Sequence, residues 1–424
     1  MKKKLLFVIL LVAMISTNSI SQSWYLNQLI IGSGGNFSDP DDYVTLASYN
    51  PSNQVTTVFD TIYTQSLQDV FVKDGKAWVA AQDSIVSYNL DTYERISAIG
   101  APGVNKLKIT GDRLIASFWY PATSGFVKSY SATDLTEINV FDEVSDEAAG
   151  IHIMIEEQTA IVAVPGSWMS TSGKVAWIDL EDNTVMGESD FQSDGMGINF
   201  FVEYEAPVPS FGAVTVTPWG DSTFNFLGFN AEGQPTGNYS FDGVMGGFTG
   251  ISGNLLYAKI NGGIGVLNLE AMELMTDLII EQGLLSMAGT CLDTIDQHIY
   301  IASTDYFSTG AGTIYNTDGE LIGGFEAGIS PESVALDYRI SSSLMENENL
   351  ELTVYPNPVS ETLNIKTKIA DCQLLIYDLS GRILVNEKIF SEHTKINIDF
   401  LEKGIYSLTL VGESATSSTS FIVH

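Results

Sequence analysis

The chain is predicted to be all-β: a seven-bladed β-propeller followed by a small Ig-like β-sandwich. Three observations lead there. Between Gln22 and about Ile340 the apolar residues alternate in short runs broken by Gly, Asn and Asp, with almost no helical periodicity. The pattern recurs every ~35 to 50 residues, the spacing of propeller blades. After a polar stretch at Ser341 to Asn349, seven more short strand patterns fill residues 350–424.

Taken in order, MKKKLLFVILLVAMISTNSISQ has three lysines, an apolar run from Leu5 to Ile15 and small polar residues after it, the pattern of a signal peptide over 1–21. The run is too short for the ~20 residues of a membrane span. A propeller over 22–340 follows, then a linker at 341–349 and a separate C-terminal domain over 350–424.

The clearest blade is Ser66 to Gly100, where DVFV, KAWVAA, IVSYNL and ERISAI form four strands joined by polar turns such as Lys73-Asp74-Gly75. The same plan fits Lys106 to Phe141, Ile151 to Asp190, Phe200 to Phe241, Gly250 to Ile280 and Ala288 to Phe325. The first unit supplies only three strands. ESVALDY, Glu332 to Tyr338, is left over and is the natural innermost strand for that incomplete blade. Closing the ring in this way removes the open sheet edges that favour aggregation.

The phrases VSYNLDT, VAWIDLEDNT and GVLNLEAME resemble the strand-then-acidic-turn of the YncE-like, DUF5074-type surface propellers. Some members of that family capture cobalamin for a TonB-dependent outer-membrane transporter. The resemblance therefore implies an extracellular ligand, with a corrinoid as one candidate and such a transporter as a partner.

In a four-stranded blade, the loops between the second and third strands lie on one side of the disc together with the links between blades. Here they are long and carry aromatics among Gly, Ser and Thr: GSGGNFSDPDDY, FWYPATSG, PGSWMSTSG, TPWGDSTFN and STDYFSTGAG. Phe37, Trp119, Tyr120, Trp168, Trp219, Tyr306 and Phe307 are the candidate ligand-binding residues, offering flat surfaces beside hydroxyls and backbone amides. Such a face suits a sugar or another partly planar ligand. The competing explanation is that these rings only fill space over the blade ends. The opposite face carries tight acidic turns.

Net charge is −33, and residues 22–349 hold 10 basic against 43 acidic side chains. Nucleic acid and anionic membrane surfaces are disfavoured as partners, because binding them means neutralising phosphates with Lys and Arg. No nucleophile motif, P-loop or HExxH occurs, and the four histidines lack a partner at diagnostic spacing, so the chain is expected not to be an enzyme. The runner-up functions are a propeller hydrolase or lyase using acidic loop residues, and a structural surface-layer or adhesion protein. No cofactor is expected. Asp39, Asp41 and Asp42 form a weak calcium candidate outside EF-hand spacing. Cys291 and Cys372 fall in different domains and suggest no disulfide framework.

In the last domain the ordered pieces YPNP (Tyr355, Pro356, Asn357, Pro358), TLNI, IYDLSGRIL and GIYSLTL, with Gly404 and Tyr406, resemble the type A C-terminal sorting domain of the type IX secretion system. The resemblance implies passage across the outer membrane with the type IX machinery as partner, ending in release or surface attachment. The chain departs from the pattern at its end, STSFIVH, where relatives often place a basic residue. Pro356 and Pro358 cannot donate ladder hydrogen bonds, so an irregular strand entrance is expected.

Overall fold

A computed structural model describes residues 23–154, 158–167, 169–204, 210–218, 220–275, 278–341, 352–367, 372–378, 383–391, 393–411 and 416–424. The expected signal peptide and the linker at 342–349 lie outside these. Among the described residues every regular element is a strand except one 3-10 turn at Gln192–Gly195. The chain divides into two compact units, Trp24–Arg339 and a C-terminal one beginning at Ile340.

The first unit is a seven-bladed propeller, built from seven four-stranded antiparallel sheets. Blade 2 shows the plan: Leu67–Lys73, Lys76–Ala81, Ser84–Asn89 and Arg95–Gly100 pair in chain order. Its first turn is Asp74-Gly75, both at positive φ (49° and 72°), the conformation that joins two twisted strands with two residues. Blades 3 to 6 occupy Val104–Val140, Ile151–Asp190, Ile198–Asp242 and Met245–Leu274, and blade 7 Ser286–Ile329.

Blade 1 differs as the leftover strand requires. Its spatial order is Pro331–Ser341, Ser23–Ser33, Val44–Asn50 and Val55–Ile62, so the end of the propeller sequence supplies the innermost strand beside the beginning. Burial explains the sequence texture. Second strands such as Lys76–Ala81 and Thr159–Val164 are packed on both faces and read as apolar runs, whereas the outermost Arg95–Gly100 is largely exposed.

Each hydrophobic core of this unit lies between two neighbouring blades. Ile30, Leu46, Val70 and Val79 join blades 1 and 2, and Ile115, Phe126, Ile153 and Val162 join blades 3 and 4. Leu29, Ile31 and Tyr49 of blade 1 pack with Tyr300, Ile314 and Phe325 of blade 7, which closes the ring. Each fully buried Leu, Ile, Val or Phe contributes ~1.5–3 kcal/mol relative to exposure.

A buried polar network reinforces the closure. Asp337 on the closing strand is fully buried and accepts from Asn27 Nδ2 (3.1 Å), Gln28 Nε2 (2.9 Å) and Arg339 Nε (2.8 Å). Arg339 reaches Asp91 of blade 2 at 3.0 Å, while Gln28 also donates to Leu90 O and accepts from Tyr93 OH and Ser48 Oγ.

Among its described residues the C-terminal unit has seven strands in two sheets. One pairs Thr353–Tyr355, Thr362–Lys366 and His393–Asn397; the other orders Ile383–Ile389, Cys372–Tyr377, Gly404–Val411 and Thr416–Val423. Leu363, Ile365, Leu374, Ile376, Leu408 and Phe421 fill the layer between them. The exposed YPNP segment is stapled to the final strand: Asn357 Oδ1 accepts from Ile422 N (2.9 Å), its Nδ2 donates to Ser420 O (3.2 Å), and Val359 N donates to Ile422 O (2.8 Å). Tyr406 donates to Glu402 O at 2.7 Å and Gly404 pairs with Val423. The SGR turn at Ser380 to Arg382 lies outside the described residues. Cys291 and Cys372 are buried in separate units and not bonded to each other.

Candidate functional site

The long loops converge on a pocket of about 650 Å³ lined from five blades. Phe37 comes from blade 1, Ser66, Leu67 and Gln68 from the entry to blade 2, Trp119 from blade 3, Lys259 from blade 6, and Met287, Tyr306 and Phe307 from blade 7. Glu332, at the start of the closing strand, completes it. Contributions from both sides of the ring place the pocket over the mouth of the central channel.

Local chemistry fixes each ring. The loop carrying Phe37 is rooted by Gly34 N donating to Ser330 O (2.7 Å) and clamped by the Gln65 amide, which donates to the carbonyls of Asn36, Asp39 and Asp42. Trp119 is held where its backbone N–H donates to Gly103 O at 2.8 Å. Gly103 has φ +80°, and a Cβ there would meet Trp119 O at 2.3 Å, so this approach requires glycine. Tyr306 and Phe307 sit on an Asx-type turn, in which Asp305 Oδ1 accepts from Phe307 N (2.9 Å) and Ser308 N (2.8 Å).

Four of the seven sequence-chosen aromatics therefore meet in one pocket: Phe37, Trp119, Tyr306 and Phe307. Tyr120 does not join them. It is 80% exposed, in the turn beyond the strand that ends at Phe118, which Ala122 N closes by donating to Trp119 O at 2.9 Å. Trp168 and Trp219 lie outside the described residues. The carboxylates of Asp39 and Asp42 serve their own loop, accepting from Asp41 N and Asn36 N. Among the described residues, the group of three whose ligand atoms all approach within 4.8 Å is Asp293, Asp296 and His298, not Asp39, Asp41 and Asp42.

Two ionisable groups at the pocket were not anticipated. Burial, with Lys106 nearby adding to it, pulls the Lys259 ammonium down to about 8; its Nζ donates to Ala288 O at 2.9 Å. Burial raises the Glu332 carboxyl, opposed by hydrogen bonds from Leu67 N (2.7 Å) and Ser330 Oγ (2.8 Å). One carboxylate oxygen thus ties the closing strand to blade 2, and the other accepts from Ser330 in the link that leads out of blade 7. Neither residue carries a motif; inner strands far apart in sequence meet only because the ring closes.

His152 is buried, stacked on Phe211 at 4.5 Å, and its Nδ1 lies 3.3 Å from Glu203, a packing role between blades 4 and 5.

Comparison with known proteins identifies the C-terminal unit. Residues 353–424 match the secretion system C-terminal sorting domain family. Among solved structures, the propeller resembles a chain of the mitotic checkpoint complex (TM-score 0.50, 10% identity, 65% of this chain and 91% of that one). It also resembles the β-propeller domain of Cps50 (Swd1) from Myceliophteria thermophila (0.49, 10%, 64% and 93%). PorZ, described as an essential bacterial surface component of the type-IX secretion system of Porphyromonas gingivalis, aligns over 96% of this chain with TM-score 0.45 and 12% identity. The chain spans 59% of the PorZ chain. No curated protein matches. The protein is thus a surface β-propeller exported across the outer membrane through the type IX machinery, to the cell surface or the extracellular space.

Proposed function

We propose that the propeller captures an extracellular ligand at the channel mouth, one with a flat apolar face and a hydrogen-bond acceptor or single acidic group. Sugars and corrinoids both have this chemistry. In the corrinoid case an outer-membrane TonB-dependent transporter is the receiving partner. The observation that carries the reading is the meeting of Phe37, Trp119, Tyr306 and Phe307 from three blades around Lys259. Rings on rigid loops give stacking area at small entropic cost, and a half-buried ammonium orients an acceptor. The overall charge of −33 disfavours polyanions and leaves neutral or singly acidic ligands.

Binding is favoured over hydrolysis or lyase chemistry because Glu332, the half-buried carboxyl of the pocket, has both oxygens engaged in structure. Screening the mature chain by calorimetry against corrinoids and a glycan panel tests this. Trp119→Ala is expected to weaken the selected ligand ~10- to 100-fold, the range for a stacking anchor. Unaltered affinity in that variant, or turnover of a panel member, would overturn the reading.

Lys259 sets the pH dependence. It is charged at neutral pH and discharges near its lowered value of about 8. Affinity for an acidic ligand should therefore be level between pH 6 and 7 and fall between 7.5 and 9. Lys259→Met should abolish that fall; a fall that persists in the variant would move the titrating group elsewhere.

A further inference from the structure

We propose that Asp293, Asp296 and His298 bind a divalent transition ion, Zn²⁺ foremost, on the tight-turn face of blade 7. Asp293 ends the strand Ser286–Asp293, His298 begins the strand His298–Thr304, and the two are direct register partners. Partners across a hairpin project from the same face, and Asp296 stands in the turn between them. One ligand atom from each lies within 4.8 Å of the others.

The second observation is an unmet bonding requirement. Asp293 is fully buried, and its Oδ1 accepts from Tyr338 OH (2.9 Å), Ile295 N (2.9 Å) and Asp296 N (3.4 Å). Its Oδ2 is buried with no hydrogen-bond partner. Buried carboxylate oxygens are almost always partnered, because leaving one bare costs its solvation. A coordinated cation meets that requirement.

The donor set selects the ion. One imidazole nitrogen with carboxylate oxygens suits Zn²⁺ and its first-row neighbours, whereas Ca²⁺ takes oxygen ligands throughout. Tyr338 holds Asp293 from the closing strand, so an ion here would tie blade 7 to the strand that completes blade 1. This site faces away from the aromatic pocket and does not depend on what that pocket binds.

The test uses the mature full chain stripped with chelator, titrated calorimetrically with ZnCl₂, MnCl₂ and CaCl₂, and melted with and without each ion. The expected result is one Zn²⁺ per chain, a higher melting temperature with Zn²⁺, and affinity at least ~10-fold lower in both Asp296→Asn and His298→Ala. Both positions are outside the fully buried core, and circular dichroism verifies that each variant folds. Absence of stoichiometric Zn²⁺ binding, or Zn²⁺ binding that both folded variants retain, would overturn the site. Ca²⁺ binding as tightly as Zn²⁺ would overturn the assignment of the ion.

Discussion

Deleting residues 353–424 should leave the propeller in the periplasm. This unit matches the secretion system sorting domain, while the pocket and the closed ring lie within Trp24–Arg339. The truncated protein should therefore retain its fold and lose its destination. A point variant separates the recognition surface from mere presence of the domain. Asn357→Ala removes both side-chain hydrogen bonds that fasten the YPNP segment to the final strand. Each bond contributes ~0.5–1.5 kcal/mol net, so the domain should lose ~1–3 kcal/mol and surface delivery should fall in proportion to the frayed fraction. Fractionation into periplasm, surface and medium gives the readout. Wild-type surface levels after the deletion would show that export does not depend on this domain.

Asp337→Ala should destabilise the propeller by ~2–4 kcal/mol, since hydrogen bonds to a charged group contribute ~1.5–3 kcal/mol each and the partly exposed Arg339 keeps Asp91. The substitution strips Arg339 of its buried carboxylate, takes that acceptor from Asn27, and leaves the Gln28 amide with Leu90 O alone. It acts where the chain ends meet, so the loss falls on ring closure and not on one blade. Asp91→Ala, at the exposed end of the same arginine, should cost under ~1 kcal/mol. All six tryptophans lie in the propeller, so denaturant unfolding followed by their fluorescence reads this unit alone. Equal losses for the two variants would mean that the network does not hold the ring.

The blades were legible because their turns are chemically explicit. Lys73-Asp74-Gly75 marks a two-residue reversal, and runs such as KAWVAA mark strands covered on both sides. The unpaired ESVALDY pattern was equally informative, since a sheet short of one strand and a strand without a sheet have one economical solution. Half of the pocket was visible too, in aromatics placed among small polar residues at the same topological position. Lys259 and Glu332 were not, because nothing local distinguishes a channel-mouth residue from any other strand residue; proximity arises across blades 6, 7 and 1. The Asp293–His298 pairing escaped for a related reason. Its five-residue separation has meaning only once a hairpin makes the two residues opposite partners.

The central claim is that ligand capture takes place at the channel mouth. A crystal structure of the mature chain with the ligand selected by calorimetry tests it most directly. The account predicts density for the ligand stacked against Trp119 and Phe37, with an acceptor atom within hydrogen-bonding distance of Lys259 Nζ. Density confined to any other surface, with the mouth empty at saturating ligand, would contradict it.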